Sequence, residues 1–260
     1  MILNAVSRGD GPVVVLLHGL FGQAGNFGAI QRRLAQRGEG RRGRRVIALD
    51  LRNHGGSPHG AGMDYRTLAE DVHQTLATLG VLPCGVLGHS MGGKTAMALA
   101  LLHPGAVGRL CVADIAPVRY PPHLAAYAVA MRDLPLSPGL TRAEADATLA
   151  PVVSNTTERA FLLSNLRLGA DPQWRVGLDE IIAGMDDIQD WPAIAGPPYS
   201  GPTLFLSGAR SRYVQPEHRP AISALFPSAR FVSLRNAGHW LHADDPEGFL
   251  SVVDAFFPAQ

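Results

Sequence analysis

Apolar residues run almost unbroken through four short stretches of the first half of the chain: "PVVVLLHG" (12–19), "RVIALDLRNHG" (45–55), "CGVLGHS" (84–90) and "RLCVADIAP" (109–117). Runs this short and this continuous predict strands covered on both faces, as in a parallel sheet. Between them, "NFGAIQRRLAQRG", "DYRTLAEDVHQTLATLG" and "MGGKTAMALALLHP" carry apolar residues at helical spacing. Asn26 and Asp64 stand as N-caps, and Gly38 and Gly80 as stops. Strand and helix in alternation predict a doubly wound α/β fold with a mostly parallel central sheet flanked by helices.

From about Pro117 to Ser200 the pattern changes. Strand signals vanish, and short helical patterns such as "PHLAAYAVAMRDL", "TRAEADATLA", "ERAFLLSNLRL" and "WRVGLDEIIAGM" follow one another between proline and glycine clusters. "TLFLSG" (203–208) and "RFVSL" (230–234) then restore the strand pattern, each followed by a helix. The economical division is an α/β core built from residues 1–116 and 201–260, interrupted by a helical cap at 117–200.

Composition narrows the function. A chain of 260 residues with 46% hydrophobic and 17% charged residues can bury a sizeable single core. A formal charge of +1 gives no reason to expect nucleic acid or an anionic membrane as partner. The basic stretch "RGEGRRGRR" (37–45) reads as a solvated loop, the alternative being a contact for an anionic partner; it leads into a strand, whereas ligands in such sheets sit where strands end. Cys84 and Cys111 fall in predicted strands as small buried hydrophobes, without metal-ligand neighbours. No signal-peptide pattern opens the chain and no apolar run matches a bilayer span, so a reducing cytoplasmic compartment is expected. A protein trimmed after import into an organelle would read the same.

The chemistry centres on Gly88-His89-Ser90-Met91-Gly92, a G-x-S-x-G pattern set where a strand ends and a helix begins. Such a turn lifts the serine oxygen above the carboxyl edge of the sheet. A serine hydroxyl needs a base within hydrogen-bond reach. Among ten histidines, His239 in "NAGHWLH" follows the last predicted strand and so reaches the same edge. His242 enters the next segment, His89 points away from its neighbour, and His18 lies where backbone shape matters more than the ring. Oxyanion donors are expected from the backbone N–H of Met91 and of Leu20, with Phe21 beside it, in a turn loosened by Gly19 and Gly22.

With these stretches in view the chain resembles the α/β-hydrolases, and among them the YbfF-type esterases and their mitochondrial ABHD-type relatives. The resemblance rests on "LLHGLFGQAGNF", "LDLRNHGGSPH", "LGHSMGGKTAMALAL", "ADIAPVRY" and "NAGHWLHADDP", spread from residue 16 to about 246. It implies the α/β-hydrolase fold with an inserted helical cap. In that superfamily the acid usually follows the post-cap strand, yet "TLFLSGARSRYV" has Ser211 there, which cannot carry a negative charge. The resemblance to YbfF-type enzymes places the acid at Asp114 instead; the alternative for Asp114 is a turn residue ahead of Pro117. Asp50 ends a more distant strand, and Asp244 and Asp245 read as caps of the final helix.

Lys94 either attracts an anionic substrate group or buries its stem and reaches a carbonyl or carboxylate. Phe161, Leu162, Leu166 and Trp174 are candidates for an acyl pocket, or for the core of the cap. The expectation is a serine hydrolase acting through an acyl-enzyme on small-molecule esters or thioesters, acyl-CoA included, with short to medium acyl groups. No metal or organic cofactor is implied. A carbon–carbon bond hydrolase of the same fold and a non-catalytic binding protein are the alternatives.

Overall fold

A computed structural model describes residues 1–36, 43–122 and 124–258. Its centre is a seven-stranded sheet containing β1 (Ala5–Arg8), β2 (Val13–Leu17), β3 (Arg45–Leu49), β4 (Cys84–His89) and β5 (Val107–Ala113). A long, mostly helical segment follows, which carries a separate ribbon of β6 (Leu166–Arg167) and β7 (Gln173–Trp174), and then come β8 (Thr203–Gly208) and β9 (Ala229–Leu234). The spatial order is β1-β3-β2-β4-β5-β8-β9, and every pairing except β1 with β3 is parallel.

This order places the site. The chain leaves β2 towards one edge to form β3, then returns to pair β4 on the other side of β2. Connections diverge at that point, which opens a crevice above the carboxyl ends of β2 and β4. The turn after β2 and the turn after β4 therefore face each other. The near-continuous apolar runs read from the sequence are the inner strands: Val15, Leu16 and Leu17 of β2, and Leu110 to Ala113 of β5, are all fully buried.

The helix after β4, α3 (Met91–Leu102), is buried from Met91 to Leu101, because the sheet lies on one side and α2 (Tyr65–Thr78) on the other. A helix apolar all round is stable only in such a position. Asp64 caps α2 as expected, its carboxylate accepting from the amides of Arg66 and Thr67 at 3.1 and 3.0 Å. Gly80 ends it with φ of +65°.

Asn26 departs from expectation. It sits inside a 3-10 turn, Ala24–Phe27, and its carboxamide accepts from the Gln23 amide at 2.6 Å, while α1 (Gly28–Ala35) starts two residues later. Gly38 and most of the basic stretch lie outside the described residues. Arg44 is a tie and not a loop charge: its guanidinium donates to the Phe257 carbonyl at 2.6 Å and to Asp254 at 2.7 Å.

Between β5 and β8 run α4 (Ala125–Arg132), α5 (Arg142–Leu149), α6 (Thr156–Leu163), α7 (Leu178–Ala183) and α8 (Met185–Gln189). The β6–β7 ribbon corrects the reading of that segment as wholly helical. Several buried bonds tie it to the core. Asn165 donates to the Phe21 carbonyl at 2.8 Å, the Gly177 amide to the Asn53 carbonyl at 2.8 Å, and the Tyr65 hydroxyl to the Ile188 carbonyl at 2.5 Å. The rest of the core is completed by α9 (Arg219–Leu225), α10 (Leu241–Asp244) and α11 (Pro246–Phe256).

Cys84 and Cys111 are unpaired and buried, and burial pushes both thiols up, Cys84 to about 12. Among the described residues no helix is long and apolar enough to cross a membrane.

Candidate active site

Ser90 occupies a turn with φ of 53° and ψ of −121°, a region costly for any side chain but glycine. The turn closes because its flanks are bare. A Cβ on Gly88 would meet the Gly92 carbonyl at 2.1 Å, and one on Gly92 would meet the Leu17 and His18 carbonyls at 2.4 Å. The Ser90 hydroxyl makes no bond to the first-turn amides of α3, so it is not spent as a helix cap. It stands instead 3.1 Å from Nε2 of His239.

The other ring nitrogen of His239, Nδ1, donates to Asp114 at 2.7 Å. Asp114 is fully buried at the end of β5 and adopts φ of +53°, a second strained residue one strand from the first. Its carboxylate also accepts from the Gly208 amide at 3.1 Å and from the Ser211 hydroxyl. Ser211, which stands where the sequence lacks an acid, is thus a hydrogen-bond donor to the Asp114 carboxylate. Ser211 is itself held by the Tyr213 amide at 3.2 Å, and the Tyr213 ring stacks on the His239 imidazole with centroids 3.9 Å apart. His239 sits after β9 at Gly238, whose amide donates to Asp244 at 2.7 Å. Asp244 therefore braces the histidine loop, while Asp245 alone caps α11. Asp50 is consumed elsewhere, accepting from Ala24, Asn4 and Gly56.

Three further histidines frame this chain of bonds as neutral rings. His89 donates from Nε2 to the His239 carbonyl at 2.8 Å. His18 accepts the Leu51 amide at 3.0 Å, and His54 accepts the Phe21 amide at 3.1 Å. Burial is the main cause that holds all three below the usual imidazole range, His54 down to about 3. The ring of His18 is thus a structural bridge, a use not evident from its sequence context. His54 also decides between the two candidate donors after β2. The Phe21 N–H is taken, whereas the amides of Leu20 and Met91 meet no acceptor among the described residues. Phe21 is removed from the oxyanion candidates.

A cavity of about 220 Å³ opens over Ser90 and His239, walled by Phe21, Phe27, Tyr127, Phe161, Leu162 and Trp240 among others. Of the four predicted pocket residues, Phe161 and Leu162 line it. Leu166 and Trp174 do not, since they pair with each other across the β6–β7 ribbon and pack into the insertion.

The family described as the alpha/beta hydrolase fold matches residues 12–246. The chain belongs to the α/β-hydrolase fold family. This hydrolase is 43% identical to the mouse protein named sn-1-specific diacylglycerol lipase ABHD11, over 94% of its own length and 80% of the relative's. It is 34% identical to esterase YbfF of Escherichia coli strain K12, over 96% and 94% of the two chains. Among solved structures it resembles a marine microorganism esterase, with a TM-score of 0.92 and 33% identity over 98% of this chain and 99% of that one. It is a hydrolase of the esterase and lipase type.

Sequence reading of this hydrolase missed the residues that act through others. His54 lay within the quoted "LDLRNHGGSPH" stretch, yet was given no role of its own. Asn165 lay within the quoted "ERAFLLSNLRL" pattern, yet its contact with the Phe21 carbonyl spans 144 residues of chain. Lys94 takes the second of its two expected uses: 1% exposed, it donates to the carbonyls of Gln189 and Asp190 at 3.0 and 2.7 Å, and desolvation brings it down to about 7.

Proposed function

We propose that this protein is a serine carboxylic-ester hydrolase that works through an acyl-enzyme on esters or acyl thioesters with short to medium acyl groups. The observation that carries the reading is the continuous chain from Ser90 Oγ to His239 at 3.1 Å and from His239 to Asp114 at 2.7 Å. Ser90 attacks the acyl carbonyl as His239 Nε2 takes its proton. Asp114 holds Nδ1–H, fixes the tautomer and offsets the imidazolium charge. The amides of Leu20 and Met91 receive the developing oxyanion. His239 then protonates the leaving alcohol or thiol, and afterwards activates the water that hydrolyses the acyl-enzyme and regenerates Ser90.

The strained backbone at Ser90 and Asp114 supports the same reading, since strain of this kind persists where the surroundings hold it for use. The segment at 117–200 acts as a cap, contributing Phe161 and Leu162 to the cavity wall. The cavity of about 220 Å³ gives a small-molecule ester or thioester room beside the Ser90 oxygen. Relatives named as diacylglycerol lipases favour acylglycerols among the esters.

The test is hydrolysis of p-nitrophenyl acetate and butyrate by the wild type and by Ser90→Ala, followed by acyl-CoA thioesters against plain esters. Turnover lost in Ser90→Ala supports the reading; equal rates in the two proteins would leave a binding protein. The thioester comparison then fixes the leaving-group class.

A further inference from the structure

A second, smaller cavity meets the first at Ser90. Both include Leu20, Ser90, Leu124 and Tyr213 in their walls, but the smaller one runs along α3 towards α8 and ends at Lys94 and Gln189. Its volume is about 40 Å³, against about 220 Å³ in the larger. Its sides are apolar or aromatic, formed by Met91, Ile115, Tyr65, Met185 and Ile188. Its far end is not. Gln189 is 7% exposed, and both polar atoms of its side-chain amide are buried with no partner among the described residues.

Gln189 is held in place by its backbone: its carbonyl accepts from the Tyr120 amide at 2.9 Å and from Lys94 Nζ at 3.0 Å. The side chain is left to serve something else. A buried amide without partners costs about 1–3 kcal/mol per group, so a polar group kept at the end of an apolar pocket points to a ligand that bonds it.

Position along α3 sets the size of that ligand. Lys94 lies four residues after Ser90, one turn, or about 6 Å along the axis. An acyl carbon on Ser90 and a polar atom three or four carbons further along would span that distance. At the far end the Gln189 NH₂ and Lys94 Nζ donate while the Gln189 Oε1 accepts, and this excess of donors favours a ligand oxygen that accepts.

Resting on the ester-hydrolase reading, we infer that the smaller cavity is an acyl-recognition site for short chains that end in a hydrogen-bond-accepting oxygen. Gln189 is the residue that reads this oxygen. The larger cavity is left for the alcohol or thiol portion. A plain alkyl chain of the same length fills the same space but leaves the Gln189 amide unpaired, which is how the site discriminates.

The experiment compares kcat/KM for p-nitrophenyl 5-oxohexanoate and p-nitrophenyl hexanoate in the wild type and in Gln189→Leu. Mono-p-nitrophenyl adipate serves as the anionic arm. The expected wild-type preference for an oxygen-ended chain over hexanoate is about tenfold, the effect of one buried hydrogen bond. In Gln189→Leu the preference falls to about one, whichever way the hexanoate rate itself moves. Gln189→Met gives the same answer should the leucine variant fold poorly. Preference for adipate alone would assign the reading to the Lys94 charge and overturn the role of Gln189; so would an unchanged ratio in both variants.

A wild type inert towards all three esters would refute the hydrolase reading, and binding would then decide this one separately. Saturation-transfer NMR should show 5-oxohexanoate binding more tightly than hexanoate, with the difference lost in Gln189→Leu. Equal binding of the two acids would overturn the inference.

Discussion

Replacing Asp114 by asparagine tests its proposed role as the acid, because the exchange conserves shape and removes only charge and acceptor capacity. Asp114 is fully buried and accepts three bonds, from Gly208 N, Ser211 Oγ and His239 Nδ1. In Asp114→Asn the carbonyl oxygen can keep the Gly208 amide. The new NH₂ then faces two groups that both donate in the wild type. Ser211 can rotate its hydroxyl to accept, but His239 must move its proton from Nδ1 to Nε2. The ring would then present N–H, not a lone pair, to Ser90 at 3.1 Å. Without a base and without a charge beside the imidazolium, kcat on p-nitrophenyl butyrate should fall by about 10⁴-fold, or about 5 kcal/mol of transition-state stabilisation. KM should change little, since Asp114 does not line the substrate cavity. The unfolding midpoint in urea, measured in parallel, separates this from a folding defect. A kcat within tenfold of the wild type, with an intact fold, would refute the assignment of the acid.

Other consequences follow from the same contacts. Asn165→Ala removes the bond to the Phe21 carbonyl that steadies the turn bearing the Leu20 amide; kcat should drop about tenfold with KM nearly unchanged, and a fall in KM-limited binding alone would contradict this. Burial lowers His54 to about 3 and His242 to about 4, so their neutral-state stabilisation is complete above pH 6.5 and is lost as pH falls towards those values. Urea midpoints should therefore decline steadily from pH 6.5 to 4, and His54→Gln should flatten the decline by up to about 1.4 kcal/mol per pH unit. Lys94 runs on the alkaline side: lowered from 10.5 to about 7 by desolvation, it binds fewer protons folded than unfolded in that window. Stability should rise with pH there by up to about 1.4 kcal/mol per unit, and Lys94→Met should remove that component. An unaltered slope would mean the ammonium is better solvated than its surroundings indicate.

How far the sequence foretold this molecule depends on the range over which each feature is encoded. The inner strands and the helices α1 to α3 were legible because double-sided burial and helical periodicity leave local marks on the chain. Asp64 was readable as a cap because capping acts across three residues. Asn26 was misread because a 3-10 turn and the first turn of an α-helix make similar demands on a short polar side chain. β1 escaped notice: four residues long and largely exposed on an antiparallel edge, it has too little burial to impose a pattern. The two-residue strands of the ribbon are shorter still, and their hydrogen bonds moved Leu166 and Trp174 away from the cavity.

At the site, Ser90 and His239 could be placed by topology, since both follow strands that end on one edge. The partners that hold them could not. Ser211 reads as a missing acid, and only the fold reveals that its hydroxyl donates to the Asp114 carboxylate. The choice of Leu20 over Phe21 depends on His54, thirty-three residues away.

The central claim is that the Ser90 oxygen becomes nucleophilic through His239. A fluorophosphonate probe reports this directly, since it captures only an activated serine, and peptide mass spectrometry locates the adduct. The account predicts stoichiometric labelling on Ser90 in the wild type and none in Ser90→Ala. With His239→Ala, labelling should slow by several orders of magnitude. Labelling at another serine, or undiminished labelling of Ser90 without the imidazole, would contradict it.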